Sequence, residues 1–279
     1  MRKAIIAASL ASAAFAVPNL AAAQAAAAPA AAPAAAPSDH TLTGNAGLFS
    51  QYRFRGIMQT YGKPALQGGV DYSHSSGIYA GNWNSNISEG AGYPNGNLEM
   101  DFYGGWKKTW GDWGFDIGAI YYYYPGTNSG SSKPFSPFNN KTGKIADGKV
   151  YNFEGYIGGS WKFISLKYSH AFSDYFQAPN TDGSGYLDLS ANYDLGDGWG
   201  IQGHVGHLNF KNMSKADYTD WKLGVTKDIG GWVFGAAYVD TNAHGGCSKP
   251  EFYCFANSSG TNGKNAGKAT AVISVMKTF

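Results

Sequence analysis

Charged residues are scarce in this chain, and neither sign prevails. Asp, Glu, Lys and Arg make up 14% of the 279 residues, against about 25% in typical soluble domains. The formal net charge is +2, from 21 Lys and Arg against 19 Asp and Glu. The two extra cations are Arg2 and Lys3, so the rest of the chain carries 19 of each sign. Nucleic acid is therefore not expected as a partner, because binding a phosphate backbone requires an excess of cations.

Long apolar runs are also lacking. The apolar stretch from Ala4 to about Val17 has roughly fourteen residues, whereas a membrane-spanning helix needs about twenty. Arg2 and Lys3 precede this stretch, and small residues follow it at Ala21–Ala23. This order is typical of a secretory signal. We predict a signal peptide at residues 1–23, cleaved near Ala23.

Cysteine is limited to two residues, Cys247 and Cys254, seven positions apart. In an oxidising compartment they are expected to form a disulfide that closes a small loop. Two thiols alone do not supply the four ligands of a structural zinc site. We expect no metal site and no cofactor.

Glycine and aromatic residues are abundant instead. The chain has 39 Gly, and aromatics make up 15% of it, yet the mean hydropathy is negative. A membrane barrel has this combination, because its apolar outer face and polar inner face cancel in the average. Residues 24–40 are rich in Ala and Pro and predict a solvated periplasmic tether. The uniform texture of residues 41–279 favours a single barrel domain.

A strict two-residue alternation marks the strands of this domain. Between Leu98 and Trp106 the even positions are apolar or Gly, whereas the odd ones include Glu99 and Asp101. Such a pattern predicts a half-buried strand, here with even positions toward lipid and odd ones toward a lumen. Similar alternation occurs at residues 66–73, 113–121, 151–162, 164–169, 187–194, 221–226 and 232–238.

The connections between these segments alternate in length. Short connections are predicted near 74–77, 108–111, 162–163, 195–198 and 228–231, and long ones near 56–63, 87–97, 124–149, 173–184, 209–217 and 241–268. Together they indicate an all-β fold: a transmembrane antiparallel up-and-down β-barrel of about twelve strands. An even strand number places both termini on the short-turn side, as in bacterial outer-membrane barrels.

Aromatic residues cluster at both ends of the predicted strands. Near the short turns lie Trp106, Trp110, Trp113, Trp161, Trp199 and Trp232. At the opposite ends lie Tyr121–Tyr124, Phe172, Tyr175, Phe176 and Tyr238. We interpret the two sets as aromatic girdles at the two membrane interfaces.

Four pieces of sequence resemble one known family. They are residues 42–79, including Tyr-Arg-Phe-Arg-Gly at 52–56, Asp116–Pro125, Leu166–Phe172, and residues 183–193. The chain is similar there to the TorF-type porin family of proteobacterial outer-membrane proteins. The resemblance covers most of the sequence after residue 40 and implies an outer-membrane barrel that passes solutes. It supplies no catalytic residues.

Departures from that family pattern are local. The long loop 124–149 and the cysteine-containing loop 241–268 are elaborations, and Lys277 stands where barrel-terminal signals usually have an apolar or aromatic residue. The last strand still ends on an aromatic residue, Phe279. We expect the barrel-assembly machinery to recognise the chain through this strand.

Ten charged residues are predicted to line the pore. They are Arg53, Arg55, Asp71, Glu99, Asp101, Glu154, Lys167, Asp188, Asp194 and Lys222. Their mixed signs argue against strong selectivity for ions of one charge. Twelve strands lie between the side-chain-filled eight-stranded barrels and the sixteen-stranded porins with aqueous channels.

Arg53 and Arg55 are expected on the inward face of the first strand, opposite Tyr52 and Phe54. They could form a constriction that attracts anions, since rings of fixed cations select by charge. Alternatively, they pair with inward carboxylates and tie strands together across the lumen. The structural role is favoured. The carboxylates available for pairing are Asp71, Glu99, Asp101, Glu154 and Asp188.

No catalytic constellation is recognisable. His204 and His207 are three positions apart, so a strand sends them to opposite faces. His170 follows Ser169 directly, and adjacent strand residues also diverge. We interpret the histidines as interfacial or loop residues, and we do not expect an enzyme.

These features predict a porin-like channel of a Gram-negative outer membrane that passes small hydrophilic solutes by passive diffusion. Outer-membrane lipid and the solutes are its expected partners. One alternative is a non-conducting structural or adhesion barrel, with its lumen plugged by loops 124–149 and 241–268. A less favoured alternative is a lipid-modifying barrel enzyme.

Overall fold

A computed structural model describes residues 38–91, 93, 96–127, 149–249, 251–257 and 262–279. The predicted signal peptide, nearly all of the tether and most of the loop 124–149 lie outside these residues. Within them, the helical structure consists of three 3₁₀ turns: Glu89–Ala91, Tyr175–Gln177 and Ser214–Ala216. None of the helical segments in this part of the chain has the length and apolar character to cross a membrane.

Twelve antiparallel strands form the wall of a closed barrel. They are β1 His40–Phe49, β2 Ala65–His74, β3 Ile78–Asn86, β4 Leu98–Trp110, β5 Trp113–Tyr123, β6 Tyr151–Trp161, β7 Ile164–Ala171, β8 Gly185–Gly196, β9 Trp199–Asn209, β10 Tyr218–Ile229, β11 Trp232–Thr241 and β12 Thr270–Thr278. Each strand pairs with its neighbours in the sequence, and β12 returns to β1. The predicted up-and-down barrel of twelve strands is confirmed.

The ring closes between the first and the last strand. Asn45 pairs with Thr278 in the β1–β12 ladder. Beyond it, the Phe279 N–H donates to the Gly44 carbonyl at 2.8 Å, and the Gly44 N–H donates to the Phe279 carbonyl at 3.1 Å. The wall therefore has no free sheet edge, which is the condition for a β-structure to span a membrane.

Loop lengths alternate around the barrel as predicted. The β10–β11 connection consists of Gly230 and Gly231, with φ of 62° and 80°. Positive φ at both central residues is required by the two-residue hairpin turn whose twist matches the adjoining strands. Short turns define one rim of the barrel, the short-turn rim, and the chain ends lie beside it. The longer loops lie at the opposite rim.

The period-two pattern gives each wall strand one outer and one inner face. On β4, Glu99 and Asp101 are 1% and 0% exposed, whereas Phe102 between Asp101 and Tyr103 is 44% exposed. The exposed apolar side chains lie on the outer wall, and the buried acidic ones lie in the lumen. The prediction that the odd positions of β4 face the lumen and the even ones face outward is therefore confirmed.

The prediction that Arg53 and Arg55 belong to the first wall strand is wrong. β1 ends at Phe49, and the following loop, residues 50–64, folds into the barrel. Within it Arg53–Phe54 pairs with Ile57–Met58 in a small antiparallel hairpin. We call Arg53–Met58 the inner hairpin. Arg55 and Gly56 both have positive φ and form the turn of this hairpin, so no extended wall strand runs through the segment.

Only part of the predicted outer girdle lies on the outside. Tyr121, Tyr123, Phe172 and Tyr238 are exposed on the outer wall or its rim. The others, Tyr122, Tyr124, Tyr175 and Phe176, are buried inside the barrel. Tyr122 and Tyr124 have the inward parity of β5, and Tyr175 and Phe176 belong to a 3₁₀ turn that bends over the lumen.

Candidate functional site: the barrel lumen

The tip of the inner hairpin reaches across the lumen. Arg55 and Gly56 form its two-residue turn, with φ of 47° and 77°. A side chain cannot replace the hydrogen at Gly56, because an added Cβ would lie 2.7 Å from Asp220 Cβ on β10. The hairpin tip is thus pressed against the β10 side of the wall while its arginine extends toward β6.

Arg55 forms a buried bidentate ion pair with Glu154 on β6. Its Nη1 lies 2.9 Å from Glu154 Oε1, and its Nη2 lies 2.7 Å from Oε2. Nη1 also donates to the Tyr175 hydroxyl at 2.8 Å, and Asn152 Nδ2 donates to Glu154 Oε1 at 2.9 Å. Both charged side chains are 2% exposed. Because a carboxylate and a guanidinium match in shape and charge, this contact fixes the hairpin strongly.

Aromatic rings surround this ion pair. The Arg55 guanidinium lies 4.2 Å from the ring centre of Tyr186 and 4.9 Å from that of Phe54. The Phe54 ring makes edge contacts with Tyr122 and Phe176, at centroid distances of 5.6 and 5.7 Å. Cation–π and edge-to-face contacts of this kind add to the packing of the hairpin.

The loop between β11 and β12 covers the hairpin from the long-loop side. This cysteine loop, residues 242–269, contains the disulfide Cys247–Cys254, with an S–S distance of 2.03 Å, and a small hairpin of Cys254–Ala256 with Gly263–Asn265. Its Ala266 carbonyl accepts hydrogen bonds from Met58 N–H at 2.9 Å and from Arg53 Nη1 at 2.8 Å. The inner hairpin is therefore anchored by the wall and by the cysteine loop.

Tyrosines fill the lumen along β3 to β6. The Tyr79 hydroxyl donates to Asp116 Oδ1 at 2.6 Å and lies 2.5 Å from the Tyr156 hydroxyl. The Tyr103 hydroxyl donates to Asp71 Oδ1 at 2.5 Å. All three tyrosines are buried. In this half of the lumen, tyrosine hydroxyls and carboxylates hydrogen-bond to one another and fill the space.

The opposite half, along β9 to β12, contains small residues and an open space. Gly224, Gly235 and Ala237 line a cavity of about 90 Å³ beside the inner hairpin, which has room for several water molecules. The polar lining residues are Gln51, Arg53, Arg55, Gln67, Gln202, His204, Asp220, Lys222, Thr226 and Ser274. On β10 the lining runs from Asp220 to Thr226, about 20 Å of strand at roughly 3.3 Å per residue.

His204 lies inside the barrel, so its prediction as an interfacial or loop residue is wrong. Its Nδ1 is 3.0 Å from Asp188 Oδ2 on β8, and its Nε2 is 2.8 Å from Asp220 Oδ2 on β10. The Tyr186 hydroxyl donates to Asp220 Oδ1 at 2.8 Å, and the Ser190 hydroxyl donates to Asp188 Oδ1 at 2.6 Å. The imidazole on β9 thus bridges two buried carboxylates, one on each of the two strands that flank β9.

This cluster also contains a serine close to a histidine and an acid. Ser190 Oγ lies 3.2 Å from His204 Nδ1. However, Ser190 pairs with both neighbouring strands, β7 and β9, so the backbone around it is engaged in the sheet rather than arranged as an oxyanion hole. Nowhere in the described part of the chain do three or more His, Cys, Asp or Glu residues form a group that could hold a metal ion.

Seven predicted pore residues lie on the wall with the inward parity: Asp71, Glu99, Asp101, Glu154, Lys167, Asp188 and Lys222. Lys167 Nζ lies 5.3 Å from the ring centre of Tyr156. Glu99 Oε1 accepts a hydrogen bond from the Tyr124 hydroxyl at 2.8 Å. The two carboxylate oxygens of Asp101 are buried without a hydrogen-bond partner among the described residues.

The other three differ in position from the prediction. Arg53 and Arg55 reach the lumen from the inner hairpin. Asp194 is exposed at the short-turn rim, where its carboxylate accepts a hydrogen bond from the Gly196 N–H at 2.8 Å. It lies there because β8 extends past the filled part of the lumen.

Sequence reasoning missed several residues of the lumen, chiefly Tyr175, His204, Gln202 and the inner hairpin itself. The adjacent Arg55 and Gly56 were the one local signal for the hairpin, since glycine favours turns with positive φ. No local signal marks His204, because its partners lie on other strands.

One family model covers every residue that the structure describes. It is Gcw_chp, described as "Bacterial protein of unknown function", and it matches residues 33–279. The chain belongs to the Gcw_chp family. No curated protein matches it.

Several solved structures resemble this Gcw_chp barrel in fold. The KdgM porin, in complex with disordered oligogalacturonate, is 7% identical, with a TM-score of 0.49 over 85% of this chain and 98% of that one. The NanC porin is 9% identical, with a TM-score of 0.47 over 86% and 99%. OprD from Pseudomonas aeruginosa is 10% identical, with a TM-score of 0.38 over 85% and 65%. These likenesses concern the overall barrel and say nothing about solutes.

Proposed function

We propose that this Gcw_chp barrel is an outer-membrane channel that passes small hydrophilic solutes by passive diffusion. The observation that supports it is the cavity beside the inner hairpin, which follows β10 from Asp220 to Thr226 inside a closed barrel. A polar, charged passage within an apolar outer wall serves solutes that cannot cross lipid.

The solute path in this proposal follows β9 to β12. Hydrogen-bonded tyrosines fill the other half of the lumen, whereas glycine and alanine leave space along this one. Arg53 and Lys222 line the path directly. The inner hairpin forms its narrowest part, because its tip crosses from the β10 side to Glu154.

Single-channel recording tests this function. The mature protein is refolded, its compact barrel is verified by a change in gel mobility on boiling, and it is inserted into planar bilayers. We expect small, discrete conductance steps. Folded protein that never conducts would contradict the proposal.

A plugged, non-conducting barrel is the second candidate, and the buried Arg55–Glu154 pair favours it. The plug would then be the inner hairpin, covered by the cysteine loop, rather than loops 124–149 and 241–268 alone. A variant in which residues 52–59 are replaced by a short glycine linker separates the candidates. Current through this variant together with silence of the natural protein would support the plug.

The cellular setting belongs to the same proposal. We propose that residues 1–23 direct export, that the TorF-type porin assignment applies, and that the assembly machinery recognises the last strand through Phe279. Outer-membrane lipid would surround the wall. Membrane fractionation tests the location, and loss of assembled barrel after removal of Phe279 tests the recognition. The function requires no catalytic residue and no cofactor.

A further inference from the structure

Two cations of the lumen cavity have no carboxylate in direct contact among the described residues. Arg53 Nε donates to Gln51 Oε1 at 3.0 Å, and Nη1 donates to the carbonyls of Gly56 and Ala266 at 3.1 and 2.8 Å. Among the described residues, neither Arg53 nor Lys222 has an acidic oxygen within 4.0 Å. Both line the cavity along β9 to β12.

The acids nearest this cavity are already engaged. Asp220 is bound by His204 and by the Tyr186 hydroxyl. Asp188 is bound by His204 and by the Ser190 hydroxyl. Both carboxylates are therefore hydrogen-bonded to residues of the wall strands. A His204 imidazole protonated on both nitrogens would donate to both of them.

The remaining polar lining is neutral and includes hydrogen-bond donors. The amides of Gln51 and Gln202 and the hydroxyls of Thr226 and Ser274 line the cavity together with the two cations. The cations and the neutral donors would both stabilise a bound anion, because an anion that leaves water needs opposite charge and several hydrogen-bond donors. A cation would meet these two like charges, and the one acidic side chain among the described lining residues, Asp220, is already bound by His204.

The charge of Arg53 persists at neutral pH. Burial lowers the pKa of its guanidinium to about 10, against the attraction of Asp240, which acts in the opposite direction. The hairpin that carries Arg53 lies outside the wall strands. Because a pKa of about 10 lies well above neutral pH, the guanidinium remains protonated across the physiological range.

We propose that this cavity is a binding site for small anions, of the size of a halide or a short carboxylate, held by Arg53 and Lys222. The part of this inference that concerns permeation rests on the proposed channel function and names its solute class. The binding site itself does not depend on conduction.

Reversal potentials across a potassium chloride gradient test the permeation part. We expect the natural protein to pass chloride several-fold better than potassium. Arg53→Gln and Lys222→Gln should each lower this ratio, and the double variant should bring it close to one. Lys107→Gln is the matched control, because Lys107 lies over the Tyr79 ring in the filled half, 5.1 Å from its centre, and should leave the ratio unchanged. A natural channel without anion preference would overturn the inference.

Binding is tested separately by bromide soaking of crystals and anomalous diffraction. We expect a bromide peak in the cavity of the natural protein and none in the Arg53→Gln/Lys222→Gln variant. No peak in the natural protein, or an equal peak in both, would overturn the anion site. A silent bilayer together with a bromide peak would contradict the channel function and leave the anion site standing. The gel-mobility change on boiling verifies that each variant is folded.

Discussion

Arg55 Nη2 lies 2.7 Å from Glu154 Oε2, although ninety-nine positions separate the two residues in the sequence. This contact joins the tip of the inner hairpin to the far wall of the barrel. Removal of one partner leaves the other as an unpaired buried charge, whereas replacement of both by apolar residues removes that problem. The contact therefore determines both the position of the hairpin and the cost of moving it.

Glu154→Gln should destabilise the barrel by roughly 3–5 kcal/mol, the usual cost of breaking a buried ion pair. The measurement is the temperature at which the compact barrel is lost on gels. The double variant Arg55→Met/Glu154→Met should recover much of this loss. An equal loss in the single and double variants would show that the ion pair is not the cause.

Asp101→Asn should behave in the opposite way. Asp101 is 0% exposed and has no hydrogen-bond partner among the described residues, so ionisation of its carboxyl group would be costly in these poorly solvated surroundings. The substitution replaces this carboxyl group by a neutral amide of the same size, so the transition temperature should rise or stay unchanged. A loss as large as that of Glu154→Gln would mean that the carboxylate has a partner in the folded barrel.

His204→Gln should shift ion selectivity toward cations. An amide cannot supply positive charge to Asp188 and Asp220, so the two carboxylates would contribute net negative charge beside the cavity. Reversal potentials measure the shift. His207→Gln is the control, because His207 is exposed on the outer face, where its Nδ1 lies 2.9 Å from the Thr219 hydroxyl. Equal shifts in both variants would contradict this account.

Opening the disulfide should act locally. The Cys247→Ser/Cys254→Ser variant loses a loop closure worth roughly 2–3 kcal/mol for a ring of this size. Because the bond lies within the cysteine loop, protease should cleave this loop faster while the wall keeps its transition temperature. Chemical reduction of the natural protein should give the same result. Collapse of the whole barrel would show that the cysteine loop holds the wall together.

The wall was predictable from the sequence because its signals are local. Alternation along β4 identified Glu99 and Asp101 as inward and Phe102 as outward, and the structure agrees. Side chains of a strand alternate strictly, and short turns need few residues. Strand number and rim assignment therefore followed from reading neighbouring positions.

The inner hairpin was not predictable in this way. Tyr52 and Phe54 alternate with Arg53 and Arg55, just as in a wall strand facing lipid and lumen. In the folded chain, Tyr52 and Phe54 are buried by other loops and by the inner wall. A segment surrounded by protein on both sides keeps the same alternation, so periodicity alone does not separate it from the wall.

The bridge at His204 depends on register, which the sequence left open. Parity correctly placed His204 and His207 on opposite faces. Pairing of Ser190 with His204 and of Gly206 with Asp220 then brings the imidazole between two acids. These registers are fixed by complete hairpins and by packing in the lumen.

The pairing of β1 with β12 has a consequence for how the molecule is made. Among the described residues, β1 pairs with β2 along one edge and with β12 along the other, so the second edge stays unpaired until β12 is in place. A chain truncated before Thr270 would not form a smaller barrel. It would leave a curved sheet with two unpaired edge strands, which can pair with the edges of other sheets. The ring therefore closes only once β12 has joined β1.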